Sequence, residues 1–284
     1  MKRIAILGPG LLGGSLALKL REAGACTVAL WARRAEAVEE IRQRACADVA
    51  STDIAQVVRD ADAVVFCVPV EAMAVVAHEV AKFVKPGALV TDVGSVKARV
   101  VAELGGIFQG KARFVGSHPM AGSEFTGLIS ADARLFDGAT CIVTPDSTTA
   151  PDAISDATEF WHGVGCRVVR LAAEEHDACV ALISHLPHVV AGALVLNAAA
   201  QNPHAFSVVG PGFRDSTRVA SGPPEMWAGI LRENAAAVTS ALDALIAKLT
   251  ELRHILAARA VDEQALHAYL ATAKTTRDRI NFPK

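Results

Sequence analysis

The stretch Gly8-Pro9-Gly10-Leu11-Leu12-Gly13 has the spacing G-x-G-x-x-G and lies between a short apolar run, 4–7, and a helical pattern, 15–23. Those residue types at that spacing suit a dinucleotide. Gly8 permits a tight turn, Gly10 lets backbone approach a pyrophosphate, and Gly13 lets helix and strand pack closely. Leu11 and Leu12 lie inside this turn as cofactor-binding candidates, and the helix it opens, 15–23, offers free N–H groups and a positive dipole end to the phosphates. A glycine-rich turn by itself is weak evidence, but here a strand precedes it and a helix follows, as the chemistry requires. The residue about 20 positions further on normally selects the cofactor. Here the second strand ends Leu30-Trp31-Ala32-Arg33-Arg34. Ala32 cannot accept from a ribose 2′-hydroxyl, whereas Arg33 and Arg34 suit a 2′-phosphate, so NADP is the expected cofactor and NAD the alternative. Read as solvated charges at a helix start, the two arginines would select neither. Cys67-Val68-Pro69 closes the fourth strand, a position that sets Val68 and Pro69 by the nicotinamide ribose.

Four further stretches gather polar groups in apolar or glycine-rich surroundings. They are Asp92-Val93-Gly94-Ser95-Val96-Lys97, Gly116-Ser117-His118-Pro119-Met120-Ala121-Gly122-Ser123-Glu124, Ser184-His185-Leu186-Pro187-His188, and Gly210-Pro211-Gly212-Phe213-Arg214-Asp215-Ser216-Thr217-Arg218 with Pro224-Glu225-Met226-Trp227 after it. The first two begin just past strand ends, on the edge where open α/β sheets bind ligands. Bland readings stand beside these. A histidine before proline is more often structural than catalytic, and Asp92 and Lys97 read equally well as strand-end and helix-start residues. His185 and His188 share a helical face, as a metal pair would. No Glu or Cys accompanies them at ligand spacing and Pro187 kinks the helix between them, so no metal is expected. His78, His162, His176, His204, His254 and His267 carry no motif and read as solvated or core side chains.

The elements that must hold these groups fall into two parts. Up to about residue 170, short apolar runs (4–7, 28–31, 63–67, 89–91, 114–115, 141–143, and 168–169 as a last candidate) alternate early on with helix-length segments such as 15–23 and 71–83. That pattern predicts an α/β, Rossmann-type, mainly parallel sheet covered on both faces. After about residue 172 strand signals almost vanish. The segment 176–201 is apolar nearly all round, which predicts a helix buried on most sides. In 224–259, Leu231, Val238, Leu245 and Leu252 recur every seven residues, with Ala235, Leu242, Leu249 and Leu256 four residues after each. That is an a/d seam, either of an intrachain bundle or of a subunit interface. The expected division is a dinucleotide-binding domain over 1–170 and a mainly helical substrate and dimerisation domain over 171–284.

Composition narrows the partners. A chain of 284 residues, 52% hydrophobic, is long enough for two cores, and its net charge of −2 shows no field for nucleic acid or a membrane surface. Anionic substrates must be met by a few placed cations. The six cysteines are scattered without a C-x-x-C pair, which fits a reducing cytoplasm better than a disulfide or zinc framework. The N-terminal apolar run stops at Gly8, too soon for a signal peptide. No uninterrupted apolar run approaches the roughly 20 residues of a membrane span, so a cytoplasmic protein is expected.

Taken in order, the glycine fingerprint, D-V-G-S-V-K, G-S-H-P-M-A-G-S-E, S-H-L-P-H and G-F-R-D-S-T-R resemble the prephenate/arogenate dehydrogenase family nearly end to end. The resemblance implies NAD(P)+-dependent oxidation of a cyclohexadienol carboxylate with loss of CO2, in a homodimer. It implies that His118 accepts the proton of the ring hydroxyl and that Ser95 hydrogen-bonds the same hydroxyl. It implies that His188 binds the substrate side chain and that Arg218 pairs with its carboxylate. Glu124, Asp215 and Trp227 match positions around the site entrance, and Arg214 would assist with charge. Prephenate and arogenate differ only in a keto group against an amine, and no residue here separates them; tyrosine feedback is likewise open. The rivals are another two-domain dehydrogenase acting on a hydroxy acid or imine, and a non-catalytic NADP-sensing module.

Overall fold

A computed structural model describes residues 1–123, 125–258 and 261–280. Strands β1 (Arg3–Leu7), β2 (Thr27–Trp31), β3 (Val49–Ser51), β4 (Ala63–Phe66), β5 (Leu89–Asp92) and β6 (Arg113–Phe114) form a parallel sheet in the order β3-β2-β1-β4-β5-β6. The helices α1 (Leu11–Ala23), α2 (Ala35–Gln43), α3 (Ile54–Val58), α4 (Val70–Val80) and α5 (Ala98–Phe108) connect them. Alternate residues of each strand face opposite sides. Ile4, Ile6, Val28 and Leu30 enter one core, while Ala5, Leu7, Ala29 and Trp31 enter the other. Because both faces are covered, the strands read as continuous apolar runs, as the sequence predicts.

The sheet does not continue past Phe114. Strands β7 (Gly116–Pro119), β8 (Thr140–Thr144) and β9 (Arg167–Arg170) form a second sheet, with β7 antiparallel to β8 and α6 (Pro151–Val164) between β8 and β9. This corrects the expectation of one sheet through residue 170. The chain turns at Val115, so that β7 crosses the C-terminal end of β5. There Ser117 N–H donates to the Asp92 carboxylate (3.0 Å) and the Ser117 and Thr91 hydroxyls pair (2.8 Å).

The rest is helical: α7 (Ala173–Val180), α8 (Leu186–Gln201), α9 (Pro211–Thr217), α10 (Pro224–Glu233), α11 (Ala235–Ala257) and α12 (Glu263–Asp278). A π-turn over Ala181–His185 joins α7 to α8, making one helix from Ala173 to Gln201. Pro187 removes an N–H and crowds the preceding turn, and the widened turn absorbs this where a sharp kink is expected. Two expectations fail here. The 173–201 helix is not buried on most sides: Leu182, Ile183, Leu194 and Leu196 are exposed, and Ala191 is the one buried residue of α8. By length and composition it could also span a membrane, since polar residues interrupt the apolar run but leave the mean hydropathy of its most apolar stretch at 2.0. The seam of 224–259 is not one helix either. Asn234 breaks it because its side chain turns inward to Asp177 and His185, and beyond the break Val238 and Ala241 are buried while Leu249 and Leu256 face outward.

Candidate active site

At the cofactor end, Gly8 has φ +112°, a conformation that side chains rarely adopt, and a Cβ there would lie 2.7 Å from the Cys67 carbonyl oxygen. A Cβ on Gly13 would collide with the Gly8 carbonyl, so the start of α1 rests directly on the β1 turn. Gly10 opens onto free space. It precedes α1, whose first turn carries no capping side chain and no acid. The first-turn N–H groups thus fit a pyrophosphate. Leu11 and Leu12 are half-buried beside it, and Val68 and Pro69 follow β4 on the same edge of the sheet. Gly8 N–H donates to the Trp31 carbonyl (3.0 Å), which fixes the end of β2 next to the glycine turn. Arg33 and Arg34 follow there, both exposed, whereas Ala32 is buried in the core.

His118 lies on β7, 7% exposed, and its Nδ1 is 2.8 Å from Nε2 of His176 on α7. His176 Nδ1 is 2.8 Å from the Asp177 carboxylate, which also accepts from the N–H groups of Lys97 (2.7 Å) and Ala98 (2.9 Å) at the start of α5. Burial, reinforced by His176, Lys97 and His185 nearby, holds His118 well below the ordinary imidazole range. It therefore stands neutral at physiological pH. Beneath it Lys97 and Asp92 form an ion pair closed off from solvent, and Asp92 also accepts from Gly94 N–H (2.8 Å). These two are thus more than strand-end and helix-start residues: they tie the β5–α5 loop, which carries half-buried Ser95, to the floor under His118. Ser95 itself makes no side-chain hydrogen bond among the described residues.

On the helical side, His188 stacks on Trp227 of α10, ring centroids 3.6 Å apart and planes nearly parallel (9°). Burial lowers the His188 imidazole, opposed by a hydrogen bond to the Val219 backbone. Arg218 is the residue before Val219 and opens the short turn Arg218–Ser221. Gly222 ends that turn against Trp227, and a Cβ there would collide with the indole Nε1. His185 meets Trp227 edge-on at 6.2 Å, and burial pushes its imidazole down to about 4. The Asn234 amide donates both to the Asp177 carbonyl (2.8 Å) and to His185 Nδ1 (3.2 Å), which leaves the His185 proton on Nε2. A continuous chain of contacts therefore runs from His118 through His176, Asp177, Asn234, His185 and Trp227 to His188.

Of the residues expected in the site, His118, His188 and Trp227 belong to this chain, Ser95 sits on the loop tied beneath it, and Arg218 adjoins its far end. Arg214 and Asp215 pair with each other at 3.2 Å on an exposed surface. Glu124 lies outside the described residues. His176 is a correction: with no motif it reads as a core or solvated side chain, yet it is fully buried and hydrogen-bonded to His118. Asp177 and Asn234 likewise carry no motif, and His185, read only as a possible partner of His188 on one helical face, has no role assigned from sequence. The available signal was two adjacent ionisable residues, His176-Asp177, entering an otherwise apolar helix, where burial demands partners.

Residues 16–170 match the family of prephenate dehydrogenase nucleotide-binding domains, and residues 172–272 match the prephenate dehydrogenase dimerization domain. The chain is 36% identical to cyclohexadienyl dehydrogenase of Zymomonas mobilis over 91% of its own length and 89% of that protein. Its structure resembles that of Aquifex aeolicus prephenate dehydrogenase, solved with hydroxyphenyl propionate and NAD+, with TM-score 0.91 at 32% identity over 99% of both chains. Synechocystis arogenate dehydrogenase is similar with TM-score 0.84 at 28% identity, covering 98% of this chain and 99% of that one. Matched in both halves and over nearly its whole length, the chain belongs to the prephenate dehydrogenase family, enzymes that oxidatively decarboxylate prephenate or arogenate with a nicotinamide dinucleotide.

Proposed function

We propose that this enzyme uses His118 as general base and NADP+ as preferred oxidant, with residues 1–170 holding the cofactor and 171–284 supplying substrate contacts. The observation that carries this reading is a buried, neutral imidazole at the C-terminal edge of the sheet, joined by contacts to the His188–Trp227 stack of the helical part. When bound, the nicotinamide accepts hydride from the ring carbon that bears the hydroxyl. His118 takes the proton of that hydroxyl, which needs an uncharged ring within hydrogen-bond reach. Ser95 hydrogen-bonds the same oxygen and keeps it in register with His118. Arg218 pairs with the side-chain carboxylate, where guanidinium offers a two-pronged match. His188, held flat by Trp227, contacts the substrate side chain. Arg214 assists with charge, and Asp215, Trp227 and Glu124 order the entrance. Loss of CO2 makes the ring aromatic and supplies the driving force, so the side chains need only align the ring and move one proton.

The preference for NADP+ rests on Arg33 and Arg34, both exposed at the end of β2, with no carboxylate at Ala32 to repel a 2′-phosphate. One charge-assisted contact contributes about 1.5–3 kcal/mol, roughly 10- to 100-fold in kcat/KM. The active unit in this reading is a homodimer built on the helical part, whose family match is to a dimerization domain and whose apolar side chains Leu182, Ile183, Leu194 and Leu196 stand exposed in one chain. Six unpaired thiols suit a reducing cytoplasm.

A side-by-side assay of prephenate and arogenate, each with NADP+ and with NAD+, tests this reading. It predicts turnover of at least one substrate, a higher kcat/KM with NADP+, and loss of that margin in Arg33→Ala, Arg34→Ala or the double variant. Equal kcat/KM for the two cofactors would overturn the NADP+ assignment. No turnover of either substrate would overturn the proposed mechanism.

A further inference from the structure

The three groups behind His118 have one consistent protonation pattern. The Asp177 carboxylate is anchored by two backbone N–H groups at the start of α5. Burial alone would push its proton affinity up, but the hydrogen bonds from His176, Ala98 and Lys97 outweigh that and hold it below the usual carboxylate range. An ionised carboxylate only accepts, so His176 Nδ1 must carry a proton. Burial keeps His176 below the ordinary imidazole range despite Asp177, so the ring is neutral and its Nε2 is bare. A bare Nε2 at 2.8 Å from His118 Nδ1 can only accept, which puts the His118 proton on Nδ1. His118 Nε2 then presents a lone pair, and no described residue hydrogen-bonds it.

We infer that His176 and Asp177 are positioning residues that lock His118 in its Nδ1–H tautomer and so aim a proton acceptor, not a donor, from Nε2. In water a histidine ring prefers the opposite tautomer, with its proton on Nε2. Without the relay His118 would offer the substrate hydroxyl a donor and could not take its proton. When the ring gains that proton, His176 Nε2 still accepts from Nδ1–H, and Asp177 stabilises the charge from one ring further away. The charged and titratable groups facing the pair are Lys97 and Asp92 at the β5–α5 junction, His185 on the π-turn, and Asp177 itself. Lys97 and His185 favour a neutral His118; Asp177 and Asp92 draw His176 toward the charged ring, while burial and Lys97 oppose them and keep it neutral. The consequence for catalysis rests on His118 being the base; the tautomer itself does not.

The test is a long-range 15N–1H NMR spectrum of the histidine-labelled parent enzyme at neutral pH, with His118 assigned by the peaks lost in His118→Asn. The inference predicts a protonated Nδ1 and a pyridine-type Nε2 for His118. In His176→Leu the proton should move to Nε2 and kcat should fall by about 10- to 100-fold, the lower part of what general-base assistance supplies, with KM and cofactor affinity nearly unchanged. His176→Gln, whose amide oxygen can accept from Nδ1–H, should restore the tautomer and most of kcat, which a merely structural loss would not allow. A parent spectrum with His118 protonated on Nε2 overturns the inference, even if no variant folds. So does a tautomer that stays unchanged in folded His176→Leu. Failure of the mechanism shows elsewhere, as the Nδ1–H tautomer in an enzyme that turns over neither prephenate nor arogenate.

Discussion

His118 owes its neutrality to burial, reinforced by the Lys97, His176 and His185 side chains near it, and among the described residues no carboxylate hydrogen-bonds it. The sign of its pH dependence follows. With His118 as the proposed base, the neutral ring is the active form, protonation removes it, and a lowered pKa moves that loss to more acid conditions. The acid limb of kcat/KM for the free enzyme should therefore lie well below pH 6.5, the unperturbed histidine value. A pH–rate profile that falls at or above pH 6.5 would contradict the burial of this base. Arg218 is expected to act on binding instead, because a carboxylate is present in both ground and transition states. Arg218→Ala should raise KM by an amount equivalent to about 2–5 kcal/mol, with a smaller change in kcat. If steady-state kinetics leave KM where it was, the carboxylate is held by another cation, and Arg214 is the next to substitute.

The substrate end depends on the close approach of two helices and a turn. Gly222 lets that turn lie against the Trp227 indole on which His188 stacks. Gly222→Ala should push the indole aside, lower thermal stability by the equivalent of about 1–3 kcal/mol, as overpacking does, and raise KM. A variant with parent KM and melting temperature would show that the stack has room to spare. At this scale the sequence was informative where structure is local. The glycine turn, the strands that alternate with helices and the helical second half follow from period and turn chemistry between residues close in the chain. It was silent where an element's fate is decided at long range. Asn234 interrupts the helix near the start of the heptad pattern, where its amide bonds to Asp177 and His185, far away in sequence. Val115 ends the parallel sheet because β7 finds Asp92, and His176 joins the site because α7 lays it against β7. None of these partners is readable from a residue's neighbours. Motif spacing pointed to His118, His188 and Trp227, which the fold brings into one chain of contacts, while His176, Asp177 and Asn234, which link them, carry no motif.

In the molecule as a whole, the helical part leaves apolar side chains uncovered along the 173–201 helix and on the outer side of α11, at Ile246, Leu249 and Leu256. A surface of this kind is what a second copy would bury. Light scattering should report twice the mass of the chain at micromolar concentration, and Leu249→Glu with Leu256→Glu should shift the enzyme toward monomer and lower its activity. A fully active monomer would refute the dimer. The proposed mechanism joins the two parts of the chain, since His118 stands on β7 while His176, Asp177, His188 and Trp227 come from the helices. The most direct measurement is therefore the turnover number of the enzyme for prephenate or arogenate, His118→Asn against parent, with CO2 and reduced nicotinamide counted together. One CO2 should appear per reduced nicotinamide in the parent, and kcat should fall by about two to four decades in the variant while cofactor affinity holds. A His118→Asn enzyme that keeps most of its kcat would contradict the assignment of His118 as the base.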